Sequence, residues 1–175
     1  MIQSDPILVD ANSADIFLGR NPILDIRGKI VAYEMLFRSK ESLDNHTDDD
    51  DLAASSNIII NAMSHFGLES VLGDVDGFIP VSEKMLVSNT IDLLPPRRIV
   101  LELIDFSRFG DDAIDRLQSL KRKGFRFAVE WFNFSTANEK ITPLLDYIKV
   151  NLALTMADGR SVVLNQLSQP NFKAL

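Results

Sequence analysis

The chain contains no cysteine among its 175 residues, which excludes disulfides and thiolate chemistry. It has only two histidines, and no apolar run approaches the roughly 18 residues of a membrane-spanning helix. Basic residues number 18 against 25 acidic ones, and a net charge of −7 disfavours nucleic acid, whose phosphates require a basic surface. No basic and then apolar leader opens the sequence. These absences predict a cytoplasmic, soluble protein that binds neither membrane nor nucleic acid.

Hydrophobic residues make up 46% of the chain, enough for one domain with a core. Residues 1–15 are polar and aperiodic, and we expect an N-terminal tail over 1–16 and one barrel domain over 17–175. Two apolar segments, 17–26 and 30–37, flank a short turn that contains Gly28, and this pattern predicts a β-hairpin.

Within the second segment of this hairpin, Glu34 lies among apolar neighbours. A buried carboxylate requires a cationic partner or a metal ion, because burying a bare charge is expensive. The residues leave open whether Glu34 pairs with Arg38, pairs with a lysine or binds a metal.

After the hairpin, short apolar segments alternate with helical patterns. The segment 98–104 is a continuous apolar run around Glu102, typical of a parallel strand covered on both faces, and Lys149 lies in a similar setting. The alternation predicts βαβ units and a mostly parallel sheet or barrel. Six strands are predicted, at 17–26, 30–37, 78–82, 98–104, 125–131 and 147–151. A seventh strand is predicted to begin at 172–175.

An acidic segment with five aspartates between residues 44 and 51 could indicate a calcium site. The EF-hand spacing is missing, so a solvated loop before a helix over 52–66 is favoured. The basic residues 121–123, with Arg126, are expected to form a solvated helix end.

Six segments resemble, in order and spacing, the motifs of EAL domains, the fold of bacterial cyclic di-GMP phosphodiesterases: the hairpin, YEMLFR, FIPVS, VLELI, FAVEWF and DYIKVN. The opening FLGRNPILDIRGKIVAYEMLFR is similar to the EAL-like part of proteins that carry a C-terminal HDOD domain. The resemblance covers residues 17–175. It implies an α/β fold, a modified TIM barrel with an antiparallel first strand, here incomplete.

The resemblance also implies which residues would act. Active EAL enzymes are understood to use two divalent metal ions, Mg or Mn, whose charge several carboxylates must offset. Glu34, Glu102 and Lys149 match catalytic positions of the family, and Arg38 matches the arginine that ends its first motif. These four residues are the candidates for a ligand-binding site.

Four metal positions of the family are altered. Pro80 stands where the family has an asparagine and offers no side-chain ligand. Glu130 and Trp131 replace an aspartate pair; tryptophan only donates, and the extra methylene of glutamate misplaces its oxygens for magnesium. Asn151 replaces an aspartate and loses its charge. The substitutions predict that no metal cofactor is bound.

The sequence therefore predicts a catalytically inactive EAL-like domain that acts as an interaction or regulatory module in bacterial signal transduction. Its expected partners are other proteins or an HDOD domain of a longer chain. Two alternatives stay open: a metal-dependent cyclic di-GMP phosphodiesterase, and an inactive receptor that binds the nucleotide. A buried ion-pair network without function would also account for the four candidate residues.

The strand count also bears on assembly. Without further strands, the segment 147–151 would be an exposed edge, which predicts either a fragment of a longer protein or a homo-oligomer.

Overall fold

The computed structural model describes residues 7–11, 14–25, 27–39, 67–130, 139–150 and 173–174. These residues form one curled sheet of eight strands, whose order across the sheet is their order in the chain. The strands are β1 (Ile7–Ala11), β2 (Ala14–Leu24), β3 (Ile30–Ser39), β4 (Asp76–Val81), β5 (Ile99–Leu103), β6 (Arg126–Glu130), β7 (Tyr147–Lys149) and β8 (Lys173–Ala174). The α-helices are α1 (Leu68–Leu72), α2 (Glu83–Leu86) and α3 (Asp111–Arg122), with 3₁₀ helices at Asn89–Leu93, Phe106–Arg108 and Thr142–Leu144.

The predicted hairpin is confirmed, since β2 and β3 pair antiparallel. Its turn is organised by Asp25, whose carboxylate accepts hydrogen bonds from the backbone N–H groups of Arg27 (2.8 Å) and Lys29 (2.9 Å). Gly28 has a positive φ of 77°, a conformation that glycine adopts without a steric penalty. The side chain of Asp25 therefore fixes the turn and with it the hairpin register.

The tail predicted over residues 1–16 is corrected in part. Residues 7–11 form β1, which pairs antiparallel with β2 from Ile7↔Leu18 to Ala11↔Ala14. The strand was missed because its formation depends on a partner strand rather than on a strong pattern of its own.

The parallel part of the sheet runs from β3 to β8 and contains the strands predicted after the hairpin. The predicted seventh strand begins with β8, in which Lys173 and Ala174 pair with Tyr147 and Ile148. The expectation of an exposed edge over 147–151 is therefore wrong for Tyr147 and Ile148. Residue 151 lies outside the described residues.

Side chains of the parallel strands alternate between two apolar layers. The larger layer lies between the sheet and the helices and includes Ile79, Leu101 and Phe127. The smaller layer, on the opposite face of the strands, contains Phe78, Val100 and Ala128, and Tyr147 packs against it. Because both faces of β5 are covered, all five of its residues are buried, including Glu102.

Helix α3 covers the sheet through an apolar stripe of Ala113, Ile114, Leu117 and Leu120 at helical spacing. Asp111 and Asp112 lie in its first turn and Lys121 and Arg122 in its last, which suits the helix dipole at both ends.

Other predicted features, the acidic segment 44–51 and the helix over 52–66, lie outside the described residues. Among the helices that the structure describes, none has both the length and the apolarity needed to cross a bilayer.

We expect Leu117→Ala to lower the free energy of unfolding by about 2–5 kcal/mol, because it opens a cavity beneath α3. Urea denaturation would measure the change. The matched control is Leu93→Ala, since Leu93 is 70% exposed and its truncation should change the stability by less than about 0.5 kcal/mol. Equal effects of the two substitutions would contradict the packing of α3 described above.

Candidate functional site

Strand register brings five residues to one face of the sheet, toward the carboxyl ends of the parallel strands. Pro80 is paired with Glu102, and Glu130 with Lys149. Glu34 is paired with Phe78, two residues before Pro80. Since side chains alternate along a strand, these residues lie on the same face of the sheet as Phe78, Val100 and Ala128. They form the next layer of side chains toward the carboxyl ends of the strands. An apolar layer of Phe78, Val100 and Ala128, which we call the floor, therefore lies beneath the site.

The ammonium of Lys149 joins two carboxylates in this layer. Its Nζ lies 2.6 Å from Oε1 of Glu34 and 2.6 Å from Oε1 of Glu102. Three strands, β3, β5 and β7, are thereby connected by one cation. We call these three side chains the Glu34–Lys149–Glu102 bridge.

Glu102 is the most deeply buried member of the bridge. The residue is only 2% exposed, whereas the side chains of Lys149 and Glu34 are 13% and 20% exposed. Its second carboxylate oxygen, Oε2, is buried and has no hydrogen-bond partner among the residues that the structure describes. Such an oxygen costs free energy, and a ligand with a donor group or a positive charge could satisfy it.

Burial also sets the ionisation of the bridge. It raises the pKa of the Glu102 carboxyl to about 7; the charge of Lys149 opposes this rise, and Glu34 and Glu130 add to it. For Lys149, burial lowers the pKa, but the two carboxylates of the bridge outweigh it and hold the pKa above its usual value. Lys149 is therefore a stable cation, while Glu102 exchanges a proton near neutral pH.

The structure thus brings together three of the predicted site residues: Glu34, Glu102 and Lys149. Of the partners left open for Glu34, the structure shows the lysine, Lys149. The side chain of Arg38 is outside the described part of the structure, and so are residues 131 and 151.

The structure describes two of the four altered metal positions, Pro80 and Glu130. Pro80 and Glu130 lie on the strand face that carries the bridge. Among the described residues there is no group of three or more histidine, aspartate or glutamate side chains placed to hold a metal ion.

Sequence reasoning missed a second polar cluster, at the amino ends of the strands. Arg126 donates hydrogen bonds to Asp76 (2.7 Å), to the hydroxyl of Tyr147 (3.3 Å) and to the carbonyl of Arg97 (2.9 Å). Asp76 and Arg126 are each the first residue of a strand. This shared position at the amino ends of the strands could have predicted the ion pair.

At the helix end expected to be solvated, residues 121–123, two lysines form ion pairs and stay partly exposed. Lys121 pairs with Asp146 at 2.6 Å, and Lys123 pairs with Asp92 at 2.7 Å. Asp146 also accepts a hydrogen bond from the backbone N–H of Phe127, so it fastens α3 to β6. The role of these lysines is structural.

We expect Glu102→Gln to remove part of the pH dependence of stability. Between the unfolded pKa of 4.5 and the folded value of about 7, the folded protein keeps a proton that the unfolded chain releases. The associated stability is fully present below pH 4.5 and is lost as the pH rises to about 7, by on the order of 3 kcal/mol at most.

Urea denaturation from pH 4.5 to 8 would measure this slope in the wild type and in the variant. Glu69→Gln is the control, because Glu69 is exposed on α1 and its substitution should leave the slope unchanged. Identical slopes for the wild type and Glu102→Gln would show that Glu102 does not titrate in this range.

Two curated proteins are similar to this chain in sequence. No family model matches the chain. It is 26% identical over 155 residues to the uncharacterized protein YuxH of Bacillus subtilis, covering 85% of this chain and 37% of that protein. It is 26% identical over 138 residues to the cyclic di-GMP phosphodiesterase CdgJ of Vibrio cholerae, covering 78% of this chain and 32% of that protein. The chain thus spans about a third of the length of these curated relatives.

Several solved structures share the fold, among them one with an EAL domain. The Bacillus subtilis YkuI protein, in complex with c-di-GMP and calcium, superposes with a TM-score of 0.64 at 21% identity, over 87% of this chain and 45% of that one. The PaMucR phosphodiesterase, a c-di-GMP complex, gives 0.64 at 14% identity, over 91% and 84%. Klebsiella pneumoniae BlrP1, a manganese and c-di-GMP complex, gives 0.60 at 16% identity, over 89% and 44%. The fold of this chain is therefore that of an EAL domain, with an incomplete barrel.

Proposed function

We propose that this chain is a catalytically inactive EAL-type domain that works as an interaction or regulatory module in bacterial signal transduction. The observation that carries the proposal is the position of Pro80. It is paired with Glu102 on the strand face that carries the bridge, and it offers no side-chain oxygen where the family has a metal-binding asparagine.

The described side chains fit a pair of divalent metal ions poorly. Two such ions lie about 3.5–4 Å apart and carry four positive charges, so they require several carboxylates. Pro80, paired with Glu102 in the sheet, contributes no side-chain oxygen. We therefore derive no reaction step through a metal.

What the module would interact with follows from similarity. The opening of the sequence is similar to proteins in which an HDOD domain follows the EAL-like part, and the curated relatives are longer proteins of which the similar region is about a third. Both observations support a role within a larger signalling assembly, with a protein or an HDOD domain as the partner.

The second candidate function is binding or hydrolysis of cyclic di-GMP. The buried, unpartnered Oε2 of Glu102 favours it, because that oxygen could accept a donor from a ligand. CdgJ, named a cyclic di-GMP phosphodiesterase, and the solved complexes with c-di-GMP also favour this candidate. One argument opposes this candidate. The phosphates of cyclic di-GMP would lie close to the carboxylates of Glu34 and Glu102, and Lys149 is the one described cation there that could offset the repulsion.

We expect no hydrolysis of cyclic di-GMP above the protein-free rate, with either Mg²⁺ or Mn²⁺, because Pro80 offers no side-chain oxygen where the family has a metal-binding asparagine. Chromatographic detection of the linear product would measure hydrolysis. Glu34→Gln is the matched variant, and it should have the same background rate as the wild type.

Calorimetric titration with cyclic di-GMP, with and without Mg²⁺, separates the remaining possibilities. Metal-dependent hydrolysis that Glu34→Gln abolishes would establish the phosphodiesterase and end the proposal. Binding without hydrolysis would establish the receptor. Neither binding nor hydrolysis is the result that the interaction module predicts.

A further inference from the structure

We infer that β1 is the interface of a homodimer, in which the outer edge of β1 pairs antiparallel with β1 of a second copy of this chain about a two-fold axis. The inference goes beyond the proposed function and does not depend on it, because a strand edge can join two copies whether or not the domain hydrolyses a substrate.

The first step is the edge itself. β1 lies at one end of the sheet, and β2 is its only neighbour among the strands that the structure describes. Such an edge strand directs a row of backbone N–H and C=O groups away from the sheet, and these groups can pair with another strand. Proteins commonly protect an edge with lysine or proline, and β1, with the sequence ILVDA, contains neither.

The second step is to identify the backbone groups that face outward. β1 ends at Ala11, β2 begins at Ala14, and these two residues are paired across a connection of two residues. Residues that flank a two-residue connection form a hydrogen-bonded pair, and along the ladder such pairs alternate with pairs that are not hydrogen-bonded. Ile7, Val9 and Ala11 therefore bond to β2, and the N–H and C=O groups of Leu8 and Asp10 face away from it.

The third step is the register between the two copies. Leu8 and Asp10 of one copy match Asp10 and Leu8 of the other, so that both pairs can exchange both of their N–H···O=C bonds. This register puts Val9 on the two-fold axis, opposite Val9 of the second copy. A register centred on Asp10 would place two aspartates opposite each other, and like charges in that position are destabilising.

The fourth step is what β1 gains. It has five residues, and within one copy Asp10 is paired with Asp15, a like-charge pair that weakens the ladder between β1 and β2. A second copy gives β1 a ladder on both of its edges. Because the contact is the same on both copies, it closes as a dimer and does not extend into a fibre.

The first experiment is sedimentation velocity of the 175-residue chain over a range of protein concentrations. We expect a reversible monomer–dimer equilibrium for the wild type. Leu8→Pro removes an N–H that faces outward and keeps the bonds to β2, a position at which edge strands accept proline. The two-fold axis repeats the loss, so the dissociation constant of the dimer should rise at least about tenfold.

The matched control is Leu8→Ala, which shortens the same residue but keeps its N–H, and its dissociation constant should stay within about threefold of the wild-type value. A wild type that is monomeric at every concentration overturns the inference. A Leu8→Pro protein that dimerises as tightly as Leu8→Ala overturns it as well.

The second experiment tests the register with a single introduced cysteine, since the chain has none of its own. Opposite residues in a pair that is not hydrogen-bonded have Cα atoms about 4.5 Å apart, a distance that a disulfide can span. We therefore expect Val9→Cys to form a disulfide-linked dimer under mild oxidation, detected by electrophoresis without reductant. Ile7→Cys is the control, because residue 7 of the second copy lies about 14 Å away along the strands, and it should cross-link at least about tenfold more slowly.

If circular dichroism shows that Leu8→Pro does not fold, the two cysteine variants decide. Faster cross-linking at position 9 than at position 7 supports the inference, and equal rates or the reverse order overturn it. These results are independent of the hydrolysis assay. Turnover of cyclic di-GMP by the wild type would refute the proposed function alone, and a monomeric wild type would refute the dimer alone.

Discussion

The mouth of this barrel depends on one electrostatic constraint, the need to neutralise Glu102 where water cannot reach it. A carboxylate that is 2% exposed is stable only with a partner, and the partner is an ammonium that Glu34 shares. Removing one side of a buried pair costs about 3–5 kcal/mol, because the other charge is left uncompensated. The floor of Phe78, Val100 and Ala128 excludes water from below and makes the constraint stricter.

Much of this arrangement could be predicted from the sequence, and the residues show why. A lone glutamate in a continuous apolar run, such as Glu102, already requires a partner, and the alternation of strands and helices gives the strand order. Which cation would pair with Glu34 could not be predicted, because Arg38 is near in sequence while Lys149 is 115 residues away. Only the register of four intervening pairings brings Lys149 to the site. Strand β1 escaped prediction for the same reason, since its pairing with β2 rather than its own residues defines it.

Buried charged groups have different sets of hydrogen-bond partners at the two ends of the parallel strands. At the amino ends, Arg126 has several acceptors, Asp76 among them. At the carboxyl ends, one ammonium contacts two carboxylates, and Oε2 of Glu102 has no hydrogen-bond partner in the described part of the chain. The first arrangement is what a purely structural ion pair requires. The second retains an unmet hydrogen bond, and this asymmetry locates the candidate site at the carboxyl ends rather than at the opposite rim.

The shortness of β7 has a consequence for local opening of the native state. Three residues make few ladder hydrogen bonds, and a strand of that size would ordinarily open with little free energy, as seen in amide hydrogen exchange. Opening β7, however, also withdraws the ammonium from both carboxylates, so the buried Glu102 must take up a proton or keep an unpaired charge in an apolar layer. We therefore expect the bridge to couple the exchange protection of Tyr147–Lys149 to that of β3 and β5, the strands that carry Glu34 and Glu102.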